Sequence, residues 1–380
     1  MHTRALMLAM DARGRAIISV HAKLTYDLLP SGECVLAEQQ SPFLNHAGQR
    51  LDQNAPAELD VIPHKAATDL IVMASAHAPH GRPTTRMTAS IECGRWRRRF
   101  LVQGERRCLY RGRGSIAFPD PAPFDTVPLR YELAYGGCDP HVAVAPPRTA
   151  LEAMAPHPGI YPRNPAGRGY VVQETPALLQ DLLLPQVENP GDPLTPERLI
   201  SGAPEHWWRQ PLPWSCDWFD LAWYPRSVFL GALPDFLPDD DSQVEEVRRG
   251  YVPGNQNARF RTTPLTDLFD PRFMDAASPG LVLPFMKGDE AIRLVGMTPA
   301  RELVVRLPGQ RPRMQVRFEG KTIEITPVPN RILISTEEMG VYIVWHGAYA
   351  PSHPIPDDLA PDGQPRIEAF VDGLPATPME

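Results

Sequence analysis

From Val20 to Leu28 the chain alternates. Val20, Ala22, Leu24, Tyr26 and Leu28 fall on one side of an extended segment, and His21, Lys23, Thr25 and Asp27 on the other. A period of two that includes a Tyr and a Thr predicts a strand with one face in the core and one in water. The run DLIVMASAHA (69–78) is apolar enough for a more fully buried strand. Residues 88–110 divide into two or three strands, with turns near Gly94 and Gly104. In VPLRYELAY, residues Val127, Leu129, Tyr131, Leu133 and Tyr135 share a face. The segment 1–135 therefore reads as an antiparallel sheet system, a sandwich or an open barrel.

Between 136 and 280 the alternation is lost. This stretch is rich in Pro, Gly and Trp, and five of the seven tryptophans lie from Trp207 to Trp223. Short helices are predicted at 176–184, with Thr175 as N-cap and Pro176 at the first helical position, and at 196–200. A third is predicted at 217–230, capped by Asp217, with Trp218, Leu221 and Ala222 on one face and Pro225 dividing it. DDDSQVEEVRRG (239–250) reads as an exposed connector or short helix. Strand patterns return over 281–350, in AIRLVGM, RELVVRL, RMQVRFE, KTIEIT, RILIST and GVYIVWHG. Six strands at this spacing suggest a second sandwich-like unit. Residues 351–380 form a Pro-rich, acidic strap or tail. The fold class expected is mainly β, with N-terminal and C-terminal sheet units and an irregular Pro/Trp-rich middle carrying short helices. Whether the two strand-rich stretches form one body stays open at this stage.

Composition sharpens that reading. Forty-five prolines in 380 residues is roughly twice the usual ~5% share. Each removes a backbone donor and fixes φ, which argues for short strands and rigid connections over long helices. A net charge of −7 gives no global attraction to nucleic acid or an anionic membrane. The five cysteines include no C-x-x-C pair, so thiols in a reducing compartment are expected rather than a disulfide framework or zinc ribbon. Only six apolar residues run together before Asp11, and no stretch nears the ~20 residues of a membrane span. A cytoplasmic, soluble protein without cofactor is expected.

Motifs for common chemistry are absent: there is no G-x-x-x-x-G-K-[ST], no G-x-S-x-G and no H-E-x-x-H. RGRGS (111–115) and GRGY (167–170) lack the spacing of a phosphate-binding loop. His77 and His80 are separated by Pro79 and read as solvated residues at a strand end rather than as metal ligands. His206 and Cys216 share one Trp-rich segment and could be set as base and nucleophile of a hydrolase, but spacing alone does not bring them together. Two features suit protein partners. Arg95, Arg97, Arg98, Arg99, Arg106, Arg107, Arg111 and Arg113 fall within nineteen residues, offset only by Glu105. On a strand, Arg97 and Arg99 share a face with Arg95 in line, while Trp96, Arg98 and Phe100 take the other. Arg95, Arg97, Arg99 and Arg106 are candidates for docking an acidic partner, against the plainer reading of a solvated sheet face. Trp207, Trp208, Trp214 and Trp218 are candidate binding hot spots, against the plainer reading of core packing.

Several segments in order resemble a family long catalogued as a domain of unknown function and found with bacterial type VI secretion genes. DVIPHKAATDLIVMASAHAPHGRP (60–83) and FLVQGERR (100–107) are similar to its opening, and YELAYGGCD (131–139) to its Glu-x-Ala-(Phe/Tyr)-Gly-Gly element. YPRNPAGRGY (161–170) looks like its Asn-Pro-x-Gly-x-Gly element. YVPGNQNARFRTTPLTDL (251–268) and LPFMKGDEAIRLVGMTPARELVVRLP (283–308) resemble its later segments. The sequence departs from the family pattern at Asp289, Thr262-Thr263 and Thr266-Asp267. The motif positions that match are Glu132, Tyr135, Gly136, Gly137, Asn164, Pro165, Gly167, Arg168 and Gly169. The resemblance implies a non-catalytic adaptor or chaperone that holds a toxic effector, or a PAAR-type spike-tip protein, and helps it reach the VgrG spike. The residues have their own account: Gly136-Gly137 permits a sharp exit from a strand, Asn164-Pro165 starts a turn, and Arg168 could pair with Glu132 or Asp139. A structural β-module of a larger assembly is the remaining alternative.

Overall fold

The computed structural model describes residues 4–10, 16–43, 60–62, 65, 67–112, 114–143, 157–220, 223–224, 226, 271–352 and 367–372. The chain opens with β1 (Arg4–Met10), β2 (Ala16–Leu28), β3 (Cys34–Leu36), β4 (Thr68–Met73) and β5 (Ser75–His77). It continues with β6 (Arg86–Cys93), β7 (Trp96–Gln103), β8 (Leu109–Tyr110), β9 (Ile116–Ala117) and β10 (Thr126–Pro128). The middle supplies β11 (Tyr135–Gly136), β12 (Arg168–Gly169), the helix α1 (Pro176–Asp181) and β13 (Val187–Glu188). Then follow β14 (Val282–Leu283), β15 (Ala291–Val295), β16 (Glu302–Arg306), β17 (Arg313–Phe318), β18 (Lys321–Ile325), β19 (Val328–Ser335), β20 (Gly340–Tyr349) and β21 (Ile367–Asp372). The fold is mainly β, as the alternation indicated.

Strand pairing answers the question that the sequence left open. A seven-stranded sheet runs β1-β2-β20-β19-β4-β14 with β3 on β2, and a five-stranded sheet runs β13-β7-β6-β15-β16. Both mix strands from the two ends of the chain, so the two strand-rich stretches share their sheets. Within these two sheets the expected antiparallel pattern holds except where β4 lies parallel to β19. A three-stranded sheet β18-β17-β21 is the third largest, beside the two-stranded pairs β5/β10, β8/β9 and β11/β12. All three larger sheets contribute to one core, with Ile18 and Leu24 from β2, Phe100 and Val102 from β7, Leu294 from β15, and Val316 from β17. The turn after β2 ties the two large sheets together: Arg306 donates its amide to the Gly32 carbonyl at 2.8 Å.

Several sequence expectations change. The strand at β2 is buried on both faces, not one, because the chain after β3 returns along it. There the Gln40 side chain accepts from the Thr25 amide at 2.8 Å and donates to the Thr25 carbonyl at 3.0 Å. The expected strand at 127–135 is interrupted by a 3-10 turn at Tyr131–Leu133. In the stretch 217–230, residues 217–220 are not helical and Trp218 bridges to Ala277 as extended chain; most of the remainder lies outside the described residues. Part of the tail, Ile367–Asp372, is a strand registered on β17. The helix after Thr175 forms with Pro176 in its first turn but stops at Asp181, and 196–200 gives a single 3-10 turn at Pro196–Arg198. The connector 239–250 and the segment 251–268 lie outside the described residues.

Candidate functional site

The motif glycines converge on one knot. β11 and β12 pair in parallel, placing Tyr135 beside Arg168 and Gly136 beside Gly169. Asn164 sits at the centre, fully buried. Its side-chain amide donates to the Tyr131 and Tyr135 carbonyls at 2.8 and 3.0 Å, and its own carbonyl accepts from Gly137 at 2.8 Å. Gly136 has φ 152 and Gly137 φ 101, both outside the range that L side chains favour. A Cβ on Gly136 would enter the van der Waals shell of the Asn164 carbonyl oxygen, and one on Gly137 would crowd the Gly167 carbonyl oxygen. Asp139, also fully buried, accepts from the amides of Val172 and His141, each at 2.9 Å. Beneath lies a second core in which Tyr135, Tyr161 and Tyr170 pack at centroid distances of 5.1 to 6.4 Å.

Above the knot is an open groove of about 380 Å³, within the range of small-ligand and peptide clefts. Gly136, Gly137, Gly167 and Gly169 bring bare main chain to it. Ala177, Leu178, Asp181 and Leu182 along and just beyond α1 line it, and Cys138 and His141 also face it. Partial burial and the neighbouring Asp139 push the Cys138 thiol up from its ordinary value, so the thiol is held neutral rather than activated as a nucleophile. Arg168 meets Glu132 through the Glu132 main-chain carbonyl, at 3.0 Å, and donates to the Gln186 side chain at 3.3 Å. The expected pairing with Asp139 does not form, because Asp139 is enclosed among backbone amides, whereas the Glu132 carboxylate acts on Arg168 as a neighbouring charge. Pro165 is exposed at the turn.

The partner candidates separate by environment. On β7, Arg97 and Arg99 are exposed and Arg98 is buried. Arg97 pairs with Glu92 at 3.0 Å, and Arg293 joins Glu92 at 3.2 Å and Glu302 at 2.8 Å. This is a cross-strand charge ladder that engages Arg97 of the cluster. Arg95 lies over the Trp96 ring at 4.5 Å. Arg106 is a correction: it is buried and pairs with buried Glu188 at 3.1 Å, so it offers no docking surface. Trp207 and Trp218 are likewise core residues, Trp207 packing on Tyr224 at 4.8 Å. Trp208 and Trp214 are partly buried, and Trp214 stacks on Arg98 at 3.7 Å while donating to the Arg99 carbonyl at 2.7 Å. Arg113 lies outside the described residues.

The hydrolase pairing does not form. Cys216 is fully buried with its thiol towards the Leu129 carbonyl, and burial raises its pKa far above the usual range. His206 Nδ1 instead lies 3.1 Å from the Ser201 carbonyl. His77 ends β5 and His80 sits in the following turn at φ 59. Among the described residues no group of three or more His, Cys, Asp or Glu is placed to hold a metal ion, and no helix is long and apolar enough to cross a membrane.

Sequence reasoning missed a buried polar seam. Lys65 and Asp69, both without solvent exposure, form an ion pair; Lys65 also donates to the Met274 carbonyl at 3.1 Å, and Asp69 accepts from the Ala276 amide at 2.8 Å. Nearby, Asp60 accepts from Lys23 at 2.8 Å and from Arg331 at 3.0 Å, all three buried. Thr68 donates to the Pro329 carbonyl and accepts from the Met286 amide. Burial lowers the pKa of Lys23 and Lys65, and Asp60 and Asp69 respectively oppose that shift. The available signal was a set of charged residues at positions inside apolar strand patterns: Lys23, Asp69 and Arg331.

A family model described as "Uncharacterized protein conserved in bacteria (DUF2169)" matches residues 13–346. No curated protein and no solved structure matches the chain. The match spans the seven-stranded sheet from β2 to β20, the glycine knot and the polar seam. The chain belongs to the bacterial family DUF2169.

Proposed function

We propose that the chain is a cytoplasmic adaptor-chaperone. In this reading it binds a type VI secretion effector or a PAAR-type spike-tip protein and promotes its loading onto the VgrG spike. The observation that supports binding over catalysis is the groove above the glycine knot. Its floor is rigid main chain, its wall is the partly apolar flank of α1, and its one thiol is held neutral. A scaffold so fixed suits recognition of a protein segment at low ordering cost. The type VI assignment rests on the ordered resemblance of the motif segments.

Substituting the groove wall tests this. Ala177→Arg changes an exposed side chain, so melting temperature should stay close to that of the parent, whereas Leu178→Glu also gives up a partial contact with the second core and should lower it modestly. Co-purification with the effector or PAAR-type protein encoded beside the gene should fall at least tenfold. Unchanged co-purification by both variants would remove the groove from the account. A turnover abolished by Cys216→Ala, with fold and binding intact, would favour the hydrolase instead.

The exposed arginines give a second expected outcome. Arg97→Glu with Arg99→Glu should slow association with an acidic partner most at low salt, since rim charges act on encounter rate and are screened over about 8 Å at physiological ionic strength. Stability should change by less than about 1 kcal/mol, as exposed ion pairs contribute little. Stopped-flow or surface-plasmon kinetics at two salt concentrations would decide; identical association rates would return this face to a solvated ladder.

A further inference from the structure

Strand β17 holds its two neighbours on different terms. On one side, a tight turn at Glu319 and Gly320, with φ 50 and 75, closes the hairpin to β18 and sets Phe318 opposite Lys321. A two-residue turn of this kind makes the closing pair a hydrogen-bonded one, and the bonding alternates on through Val316 and Met314. The main chain of Gln315 and Arg317 therefore faces β21, where the opposing residues are Phe370 and Glu368. The hairpin is fastened to the seven-stranded sheet through its apolar side. Phe318 meets the Tyr349 ring at 6.2 Å, and Gly347 leaves room for Met314 and Ile325, which a Cβ there would meet at 3.2 and 2.5 Å. β21 is held by less. Val371 is buried and Ile367 packs partly against the core, but Phe370 is 37% exposed. β21 pairs with β17 alone and passes β1 without pairing.

We infer that the β17 edge is a strand-accepting site, filled in the free protein by β21 and open to an extended segment of a protein partner that displaces it. The resident strand states the chemistry. Arg317 engages two side chains of β21: its guanidinium donates to Glu368 at 2.9 Å and lies over the Phe370 ring at 5.0 Å. An incoming segment presents a carboxylate and an aromatic ring two residues apart, with apolar residues where Ile367 and Val371 now stand. Main-chain bonds to Gln315 and Arg317 supply affinity, as in strand addition generally. The Arg317 guanidinium reads the side chains through an ion pair and a cation–π contact.

The family match sets the edge and its cover apart. It ends at His346, so β17 and β18 lie inside the matched body and β21 lies outside it. The site shares no residue with the groove above the glycine knot.

A strand tethered to its own site acts at an effective concentration of the order of millimolar, so the parent should take up a competing strand poorly. The probe is a fluorescein-labelled synthetic peptide of residues 366–373, RIEAFVDG, added to the full-length chain and followed by anisotropy. Glu368→Lys with Phe370→Ser changes a half-buried and an exposed side chain of β21. The peptide should bind this variant at least tenfold more tightly than the parent. Adding Arg317→Glu should return binding to the parent level, and the Glu368→Lys peptide should restore it on that triple variant. Equal binding to parent and double variant, or binding indifferent to Arg317→Glu, would overturn the proposal. So would a variant that dimerises without taking up peptide, which would give the edge to a second copy of the chain. If the variant does not fold, amide exchange in the parent decides. The Gln315 and Arg317 amides should exchange together with those of β21, at least tenfold faster than the Met314 and Val316 amides that face β18. Equal protection of all four would overturn the proposal.

Discussion

Asp69→Ala is expected to cost about 3–5 kcal/mol of stability, the usual effect of removing one member of a buried ion pair. With Asp69 gone, Lys65 would stay shut off from water, and the burial that already lowers its pKa would no longer be opposed by that carboxylate. The Ala276 amide would also lose its acceptor, a further penalty for a buried donor. Replacing both members by apolar residues of similar size, Lys65→Met with Asp69→Leu, should recover most of the loss, because no lone charge then remains. Urea unfolding of the three proteins measures this. If the double variant is no more stable than Asp69→Ala, the seam does more than balance its own charges.

Gly136→Ala is expected to be comparably damaging, at about 3 kcal/mol or more. The residue combines φ 152 with close approach to the Asn164 main chain, so the substitution adds backbone strain to a direct overlap. Since the Asn164 amide ties down the Tyr131 and Tyr135 carbonyls, any shift of Asn164 spreads to the groove floor. Gly94 in the β6–β7 turn is the control. It has φ 57, but a Cβ there meets open space, so Gly94→Ala should cost only about 1–2 kcal/mol. Thermal unfolding of both variants checks the contrast, and equal losses would show that conformation alone, not the knot, sets the cost.

Strand periodicity was legible wherever a strand's two faces differ. Burial patterns along β15, β16 and β17 alternate as their sequences do. It misled at β2, where Lys23 and His21 look like solvent-facing residues and are enclosed. Their partners are far along the chain: Asp60 for Lys23, and His346, beside it on β20, for His21. No local pattern reports a contact made at such separation. The same limit explains Arg106, which looked like a member of a basic surface run until Glu188 on β13 supplied its partner. The glycine knot was legible in part. Paired glycines after a strand announced an unusual backbone, but that two such segments meet around Asn164 depends on a parallel pairing set by tertiary structure. The interruption at Tyr131–Leu133 was hidden because its residues alternate as a strand would, while Asn164 takes the Tyr131 carbonyl out of any ladder.

The most direct test of the adaptor reading uses purified components. The full chain is mixed with the effector or PAAR-type protein encoded beside its gene, and the mixture is resolved by size-exclusion chromatography with light scattering. The account predicts a complex of defined mass that persists on dilution, whose cargo then associates with VgrG more readily than cargo alone. Separate elution of the chain from every such partner, with each component folded and monodisperse, would contradict it.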